Sequence, residues 1–178
     1  MTKRSGIHSH YEIMFETILR DNEVLYIAID ESKEPLVEGK PVKNFDFIVS
    51  SFSGKYLIDI KGKSFSSKSN LYMWDNWVKD RDLSGLRVWG NHFNAFTPLL
   101  VFPYFLSNSL DKKYLDGKAD IFKHNGKLYG ITAITLTDYY TNAKVRSKKW
   151  NAIYVPRQTF KEIVSPLSKY IPEIKKNW

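Results

Sequence analysis

The sequence predicts an α/β protein with a mixed central β-sheet flanked by helices, whose first elements follow the order α-β-β-β-α-β. Two observations predict this class: an amphipathic helical repeat near the N-terminus, and a series of short apolar runs separated by turn residues. With 178 residues and 43% hydrophobic content, the chain suits a packed globular protein. We expect one domain over residues 1–178, with a core at about 9–106 and a basic extension of the same domain at about 107–178.

The first predicted element is a helix that begins after Ser9. Ser9 and Glu12 have the spacing of a capping box, in which each satisfies a backbone amide at the helix start. The apolar residues that follow recur at helical spacing: Tyr11, Met14, Phe15, Ile18 and Leu19. Glu12 and Glu16 therefore lie one turn apart on the polar side of the helix.

Three strands are predicted next. Residues 24–30 form the first, and residues 31–43 read as a polar loop containing Pro35, Gly39 and Pro41. Residues 45–49 and 56–61 form the other two strands, joined by a Ser53-Gly54 turn. A polar loop at 62–70 and an aromatic segment at 71–78 follow, whose Trp74 and Trp77 we expect, with Trp89, in the core or at its rim.

The second helix is predicted to begin at Asp80 or Asp82, either of which could cap it, and to bury Leu83 and Leu86. Residues 97–106 form an apolar strand in which Pro103 indicates a bulge or an edge position. Strands at 119–124 and 127–134 flank Asn125-Gly126, a strong hairpin signal. A short helix near 138–145, a strand at 151–155 and a helix at 158–164 complete the prediction.

The formal net charge of +8 is concentrated near the C-terminus. Residues 139–178 carry 9 basic and 2 acidic residues, whereas residues 1–138 carry 18 and 17. This suits a polyanionic partner such as nucleic acid, although a solvated basic tail is an equal alternative. The chain has no cysteine, which excludes disulfides, zinc–thiolate sites and thiol nucleophiles. No signal peptide or spanning segment is evident, so we expect a cytoplasmic protein without a membrane partner.

Charged residues interrupt two of the apolar strands. Asp46 precedes Asp59-Ile60-Lys61 by thirteen residues, and strand alternation directs Asp59 and Lys61 to one face. Desolvating an unpaired ion costs several kcal/mol, so a metal ion or a charged substrate is a natural compensating partner. The alternative is a surface Asp46 and a structural ion pair between Asp59 and Lys61.

The element order and the acid spacing together resemble the PD-(D/E)XK nuclease superfamily. Its restriction endonuclease-like fold is shared by restriction endonucleases, archaeal Holliday-junction resolvases and related repair or transposition nucleases. The motif stands here as Asp46 and Asp59-Ile60-Lys61, without a proline before Asp46. The resemblance covers residues 9–106. The stretches around His10-Tyr11-Glu12, Asp30-Glu31 and 139–150 also resemble a bacterial family of uncharacterised proteins with this core, from which no activity is carried over.

The resemblance implies a Mg²⁺-dependent nuclease that hydrolyses phosphodiester bonds in DNA, with Mn²⁺ able to substitute. Asp46 and Asp59 would be metal ligands, and Lys61 would orient or activate the attacking water. Members often add an acid from the first helix, for which Glu12 is preferred and Glu16 is the alternative. RNA as a substrate stays open, and a homodimer is compatible with many enzymes of this fold. The implied processes are repair, restriction, recombination and mobile-element processing.

A nucleic-acid-binding surface is predicted from a run that mixes cations with an aromatic residue. It comprises Lys144, Arg146, Lys148, Lys149 and Trp150, and His10 at the first helix N-terminus is a further candidate for contacting phosphate. The histidines have no metal-ligand spacing. The competing hypothesis is a module with a nuclease-like fold that binds nucleic acid or a partner protein without cleaving it. A third is a structural or toxin-neutralising partner protein.

Overall fold

The computed structural model describes residues 9–69, 72–115 and 117–174. Its α-helices are α1 (His10–Asp21), α2 (Asp80–His92), α3 (Leu136–Asn142) and α4 (Arg157–Ile163). Its strands, in chain order, are β1 (Leu25–Ala28), β2 (Leu36–Val37), β3 (Lys40–Pro41), β4 (Phe47–Ser51), β5 (Gly54–Ile60), β6 (Lys63–Phe65), β7 (Val78–Lys79), β8 (Thr97–Leu106), β9 (Asp120–His124), β10 (Lys127–Thr135), β11 (Lys144–Ser147), β12 (Ala152–Tyr154) and β13 (Ser165–Pro166). Short 3₁₀ helices lie at Ser109–Leu115 and Leu167–Lys169.

Eight strands form the main sheet in the order β1-β4-β5-β8-β10-β13, with β6 also paired to β8 and β9 to β10. The pairs of β8 with β5 and with β6 are parallel, and the other pairs of this sheet are antiparallel. Helix α2 makes the crossover between β5 and β8, as a parallel pair requires. The predicted α/β class and its α-β-β-β-α-β order are therefore confirmed.

Two apolar cores cover the faces of this sheet. One packs α1 against the row Tyr56, Ile58 and Ile60 of β5, and the other contains Leu57 of β5 and Leu86 of α2. Because alternate residues of a strand point to opposite faces, Asp59 and Lys61 lie on the Leu57 side, as predicted. Trp74 is buried in this second core, with Trp89 packed against it.

A second sheet contains three strands in the order β11-β12-β7. Its β7 immediately precedes α2, and the Asp80 amide donates to the Asn151 carbonyl at 2.8 Å. The prediction of a helix extending to Val145 is wrong, because α3 ends at Asn142 and Val145 pairs with Ile153 in this sheet.

The first helix begins as predicted, with both halves of the Ser9–Glu12 capping box formed. The second helix does not. Its N-cap is Lys79, which makes no side-chain capping bond, so the expected Asp80 or Asp82 cap is wrong. Asp82 instead turns its carboxylate towards Lys61, where a full charge is available as a partner.

Pro103 occupies an interior strand, contrary to the predicted bulge or edge position. It pairs with Ile131 in the regular ladder between β8 and β10. On the other side of β8, pairing with β5 ends at Val101 and pairing with β6 begins at Tyr104. Proline has no amide to donate, and its position at this junction avoids the paired stretches of β5 and β6.

Asn125-Gly126 forms the predicted hairpin turn, with both residues at positive φ. The small β2–β3 hairpin inside the predicted polar loop was missed, as was β13 at the far edge of the main sheet. Asn70 and Leu71, where the predicted loop meets the aromatic segment, lie outside the described residues.

Candidate active site

Acidic residues converge where three strand ends meet. Ala28 at the end of β1 pairs with Phe47 at the start of β4, and Phe47 pairs with Ile58 near the end of β5. Glu31 follows β1 and Asp46 precedes β4, so both belong to this edge of the sheet. Glu12, from the first turn of α1, supplies a third carboxylate.

The carboxylates of Glu12, Glu31 and Asp46 each offer an oxygen, and these oxygens lie within 4.8 Å of one another. Two oxygens on opposite sides of a Mg²⁺ ion would be about 4.2 Å apart at the usual bond length. The three side chains therefore fit a hard divalent cation with only small rotations. Glu12 and Asp46 border a cavity of about 70 Å³, which has room for an ion and its remaining water ligands.

Protonation of this cluster is uneven. Burial, followed by the charges of Asp59 and Glu31, raises the pKa of Asp46 well above its usual value. Burial also acts to raise the pKa of Glu31, but hydrogen bonds with Asp46 and Lys43 outweigh it and the pKa is lowered. A proton shared by these two carboxyl groups therefore favours Asp46 over Glu31. A bound cation would compensate the negative charge that the pair carries when both are ionised.

Asp46 is held firmly by its strand environment. Its amide donates to the Ile58 carbonyl at 2.9 Å, and its carboxylate accepts the Ile60 amide at 2.5 Å. Its own carbonyl accepts the Ile29 amide at 2.9 Å. These bonds connect Asp46 to both neighbouring strands, so the orientation of its carboxylate is fixed by the sheet.

Lys61 lies between two other carboxylates, those of Asp59 and Asp82. Its Nζ is 2.8 Å from Asp59 Oδ2 and 2.7 Å from Asp82 Oδ2. The contact with Asp59 is an ion pair without hydrogen-bond alignment, and no other described residue donates a hydrogen bond to that buried oxygen. Although burial acts to lower the pKa of Lys61, the charges of Asp59 and Asp82 outweigh it and raise the pKa.

The structure brings together some predicted ligands but not all. Glu12 joins Asp46 in the cluster, while Glu16 borders the same cavity and accepts a hydrogen bond from Tyr26 at 2.9 Å. Glu12 also caps α1, and a carboxylate with two oxygens can serve both purposes. Asp59 lies outside the 4.8 Å cluster and pairs with Lys61. The ligand roles of these residues stay predictions.

A groove of about 330 Å³ runs from Lys61 past the start of α2. Lys63 lies over the Trp77 ring, with its Nζ 3.9 Å from the ring centroid. Arg146, from β11, approaches the same ring at 5.5 Å and pairs with Asp75 at 2.9 Å. Trp77 therefore connects the groove to the three-stranded sheet.

All five members of the predicted basic surface are exposed on β11 and the turn that follows it. Trp150, at the turn, is 69% exposed, with Lys149 5.5 Å from its ring centroid. His10 lies elsewhere, against Tyr11 and Phe105, with its Nδ1 3.1 Å from the Tyr129 hydroxyl. A contact between His10 and phosphate stays a prediction.

Two residues of the site were missed by the sequence prediction. Glu31 directly follows the first predicted strand, and an acid at a strand end was an available signal. Asp82 reaches Lys61 through the packing of α2 on β5, a tertiary contact for which the sequence contained no local signal.

No helix among the described residues is long and apolar enough to cross a membrane. A scan against protein-family models found no match, and a search of curated proteins found none either. Among solved structures, the chain is similar to Hjc of Archaeoglobus fulgidus, a Holliday junction resolvase from an archaeal hyperthermophile. The sequences are 8% identical, the TM-score is 0.50, and the match covers 86% of this chain and 91% of the resolvase. The likeness confirms the predicted restriction endonuclease-like fold.

Proposed function

We propose that the protein is a Mg²⁺-dependent nuclease that hydrolyses phosphodiester bonds in DNA, with Mn²⁺ able to substitute. One observation carries the proposal: three carboxylates within reach of one cation lie at the strand edge that also presents Lys61. Glu12, Glu31 and Asp46 would hold the ion, with Asp59 beside them. The fold shared with a Holliday junction resolvase supports this function.

The residues divide the chemistry between them. A bound Mg²⁺ supplies Lewis-acid activation of water and of the scissile phosphate. Lys61, whose pKa is raised by Asp59 and Asp82 despite its burial, stays protonated near neutral pH. It therefore acts as a hydrogen-bond donor that positions the attacking water and stabilises negative charge on the phosphate, rather than as a base.

The basic surface on β11 and its following turn would grip the substrate. Lys144, Arg146, Lys148 and Lys149 supply positive charge for phosphates, and the exposed Trp150 supplies a ring on which a base can stack. Arg146 links this surface to the groove beside Lys61 through Trp77. Duplex DNA bound there would extend towards the acidic cluster. A homodimer would place two such sites on one duplex, one for each strand.

The test is cleavage of plasmid, single-stranded and four-way-junction DNA in Mg²⁺ or Mn²⁺. We expect the parent to cut at least one substrate, and Glu31→Gln and Asp46→Asn to lose at least 100-fold in rate, on the order expected for a lost electrostatic stabiliser. Glu38→Gln, which changes an exposed acid of the β2–β3 turn, is the matched control and should cut like the parent.

Cleavage by Asp46→Asn at the parental rate would contradict the proposed site. Salt-sensitive DNA binding without cleavage in either metal would instead support the binding-module hypothesis. Calorimetry with Mn²⁺ separates these results, because the proposed nuclease takes up the ion and Glu31→Gln weakens that uptake. An absence of both binding and cleavage would refute the proposal.

A further inference from the structure

The groove beside Lys61 is lined by four lysines, of which two already have carboxylate partners. Lys43 pairs with Glu31, and Lys61 pairs with Asp59 and Asp82. Lys63 has no carboxylate within 4.0 Å among the residues that the structure describes, and Lys79 is exposed at the rim. The residues that line the groove therefore carry more positive than negative charge.

Lys63 is fixed in a defined position. Its Nζ donates to the Trp77 carbonyl at 2.8 Å and lies over the ring of the same residue. A carbonyl and an aromatic face orient an ammonium group but do not neutralise it. The ammonium has two N–H donors besides the one that bonds the carbonyl.

The surroundings of Lys63 favour an anionic ligand. The pKa of Lys63 is lowered to about 8, chiefly by burial; Asp75 acts to raise it, whereas the charges of Arg146 and Lys61 act with burial to lower it. Keeping the ammonium charged in this partly buried position therefore costs free energy. A negative group within hydrogen-bonding distance would offset that cost.

The position of the groove indicates which anion it takes. One end is bordered by Lys61, and the other is reached by Arg146 of the exposed basic surface. A strand of nucleic acid running from that surface to the acidic cluster would pass over Lys63. A free phosphate ion would satisfy the same groups but would not use this connection.

We propose that Lys63 and Lys79, with Trp77 as the support of Lys63, form a subsite for the backbone phosphate next to the scissile phosphate. This inference rests on the proposed nuclease function and assigns the path of the cleaved strand. The subsite would bind any nucleotide at this position, because the contacting groups touch only the phosphate.

The experiment measures DNA binding in Ca²⁺ across a range of KCl concentrations for the parent, Lys63→Met, Lys63→Arg and Lys79→Met. Each Met variant should lower the slope of log Kd against log salt by about 0.9, the value for one lost phosphate contact. Lys63→Arg should retain the parental slope. Lys123→Met is the control, because its exposed lysine lies on β9, with β10 and β8 between it and β5.

Cleavage in Mg²⁺ distinguishes binding from chemistry. At saturating DNA, Lys63→Met should keep kcat within about threefold of the parent while KM rises. An unchanged salt slope in both Met variants of an active parent would overturn this inference and leave the nuclease intact. So would a lower kcat with an unchanged KM. A parent that neither binds nor cuts DNA would refute the proposed function itself. If Lys63→Met fails to fold, the exposed Lys79 still gives the result.

Discussion

Replacing Lys61 with methionine should destabilise the protein by about 3–5 kcal/mol, the range for breaking a buried ion pair from one side. The side chain of Lys61 is 15% exposed and those of Asp59 and Asp82 are 4% and 15% exposed, so solvent screens them poorly. At 2.8 Å and an effective dielectric constant of 20, each attraction is about 6 kcal/mol before desolvation. The cost of removing the ammonium and the carboxylates from water on folding offsets part of this attraction, so the net loss on mutation is smaller.

Urea denaturation followed by circular dichroism at pH 7 measures this loss. In a separate thermal denaturation, the expected fall in melting temperature for a chain of this length is about 6–20 °C. The double variant Asp59→Asn/Lys61→Met should recover part of the stability, because it removes the more deeply buried of the two carboxylates that the single change leaves unpaired. Lys40→Met, at an exposed position in the β2–β3 hairpin, should stay within about 0.5 kcal/mol of the parent.

Lys61 does not hold a stabilising buried ion pair if Lys61→Met unfolds within about 1 kcal/mol of the parent, or if the double variant is no more stable than the single one. The result also matters for enzymology. Loss of cleavage in a Lys61 variant has a chemical meaning only when the variant is shown to be folded under the assay conditions.

Three further predictions concern the acidic cluster and its support. Asp46→Asn should stabilise the protein on the order of 1 kcal/mol at pH 7, because burial and the charges of Asp59 and Glu31 raise the pKa of Asp46. Because the pKa of Asp46 is higher in the folded protein, the parent loses stability as pH rises above the pKa of about 3.8 in the unfolded chain. The stability advantage of Asp46→Asn should therefore vanish near pH 3.8. Urea titrations in which the variant is still more stable at that pH would contradict this prediction. Mn²⁺ binding should release protons, and its affinity should increase as pH rises. Calorimetry in buffers of different ionisation enthalpy measures the number of protons released. Mn²⁺ uptake without proton release would contradict the raised pKa of Asp46. Gly62→Ala would place a Cβ 2.0 Å from the Tyr11 ring and should cost about 1–3 kcal/mol, so an unchanged melting curve would show that the ring moves freely.

The sequence predicted the elements whose signals are local. The capping box of Ser9 and Glu12, the alternation of side chains between the two faces of β5 and the Asn125-Gly126 turn are determined by neighbouring residues, and each appears as expected. The position of Pro103 was not predictable in this way. It depends on which strands of the sheet pair with each side of β8, and these are far away in the sequence.

The candidate site was predictable to the extent that one strand determines it. Asp59 and Lys61 share a face because they are two residues apart at the end of β5. The Asp82 contact requires knowledge of how α2 packs, and the convergence of Glu31 with Asp46 requires the antiparallel pairing of β1 and β4. Charge–charge contacts across elements carry no periodic signal, so the sequence pattern left both residues out.

The two-residue strand β7 connects the three-stranded sheet to helix α2. It is paired with β12, the partner of the strand that carries Arg146, and it leads directly into the helix that holds Asp82 against Lys61. The β11–β12 hairpin and the ion pair of Lys61 are therefore joined by one short stretch of backbone. A ligand that binds the outer hairpin would thus contact an element whose backbone continues into the helix that presents Asp82.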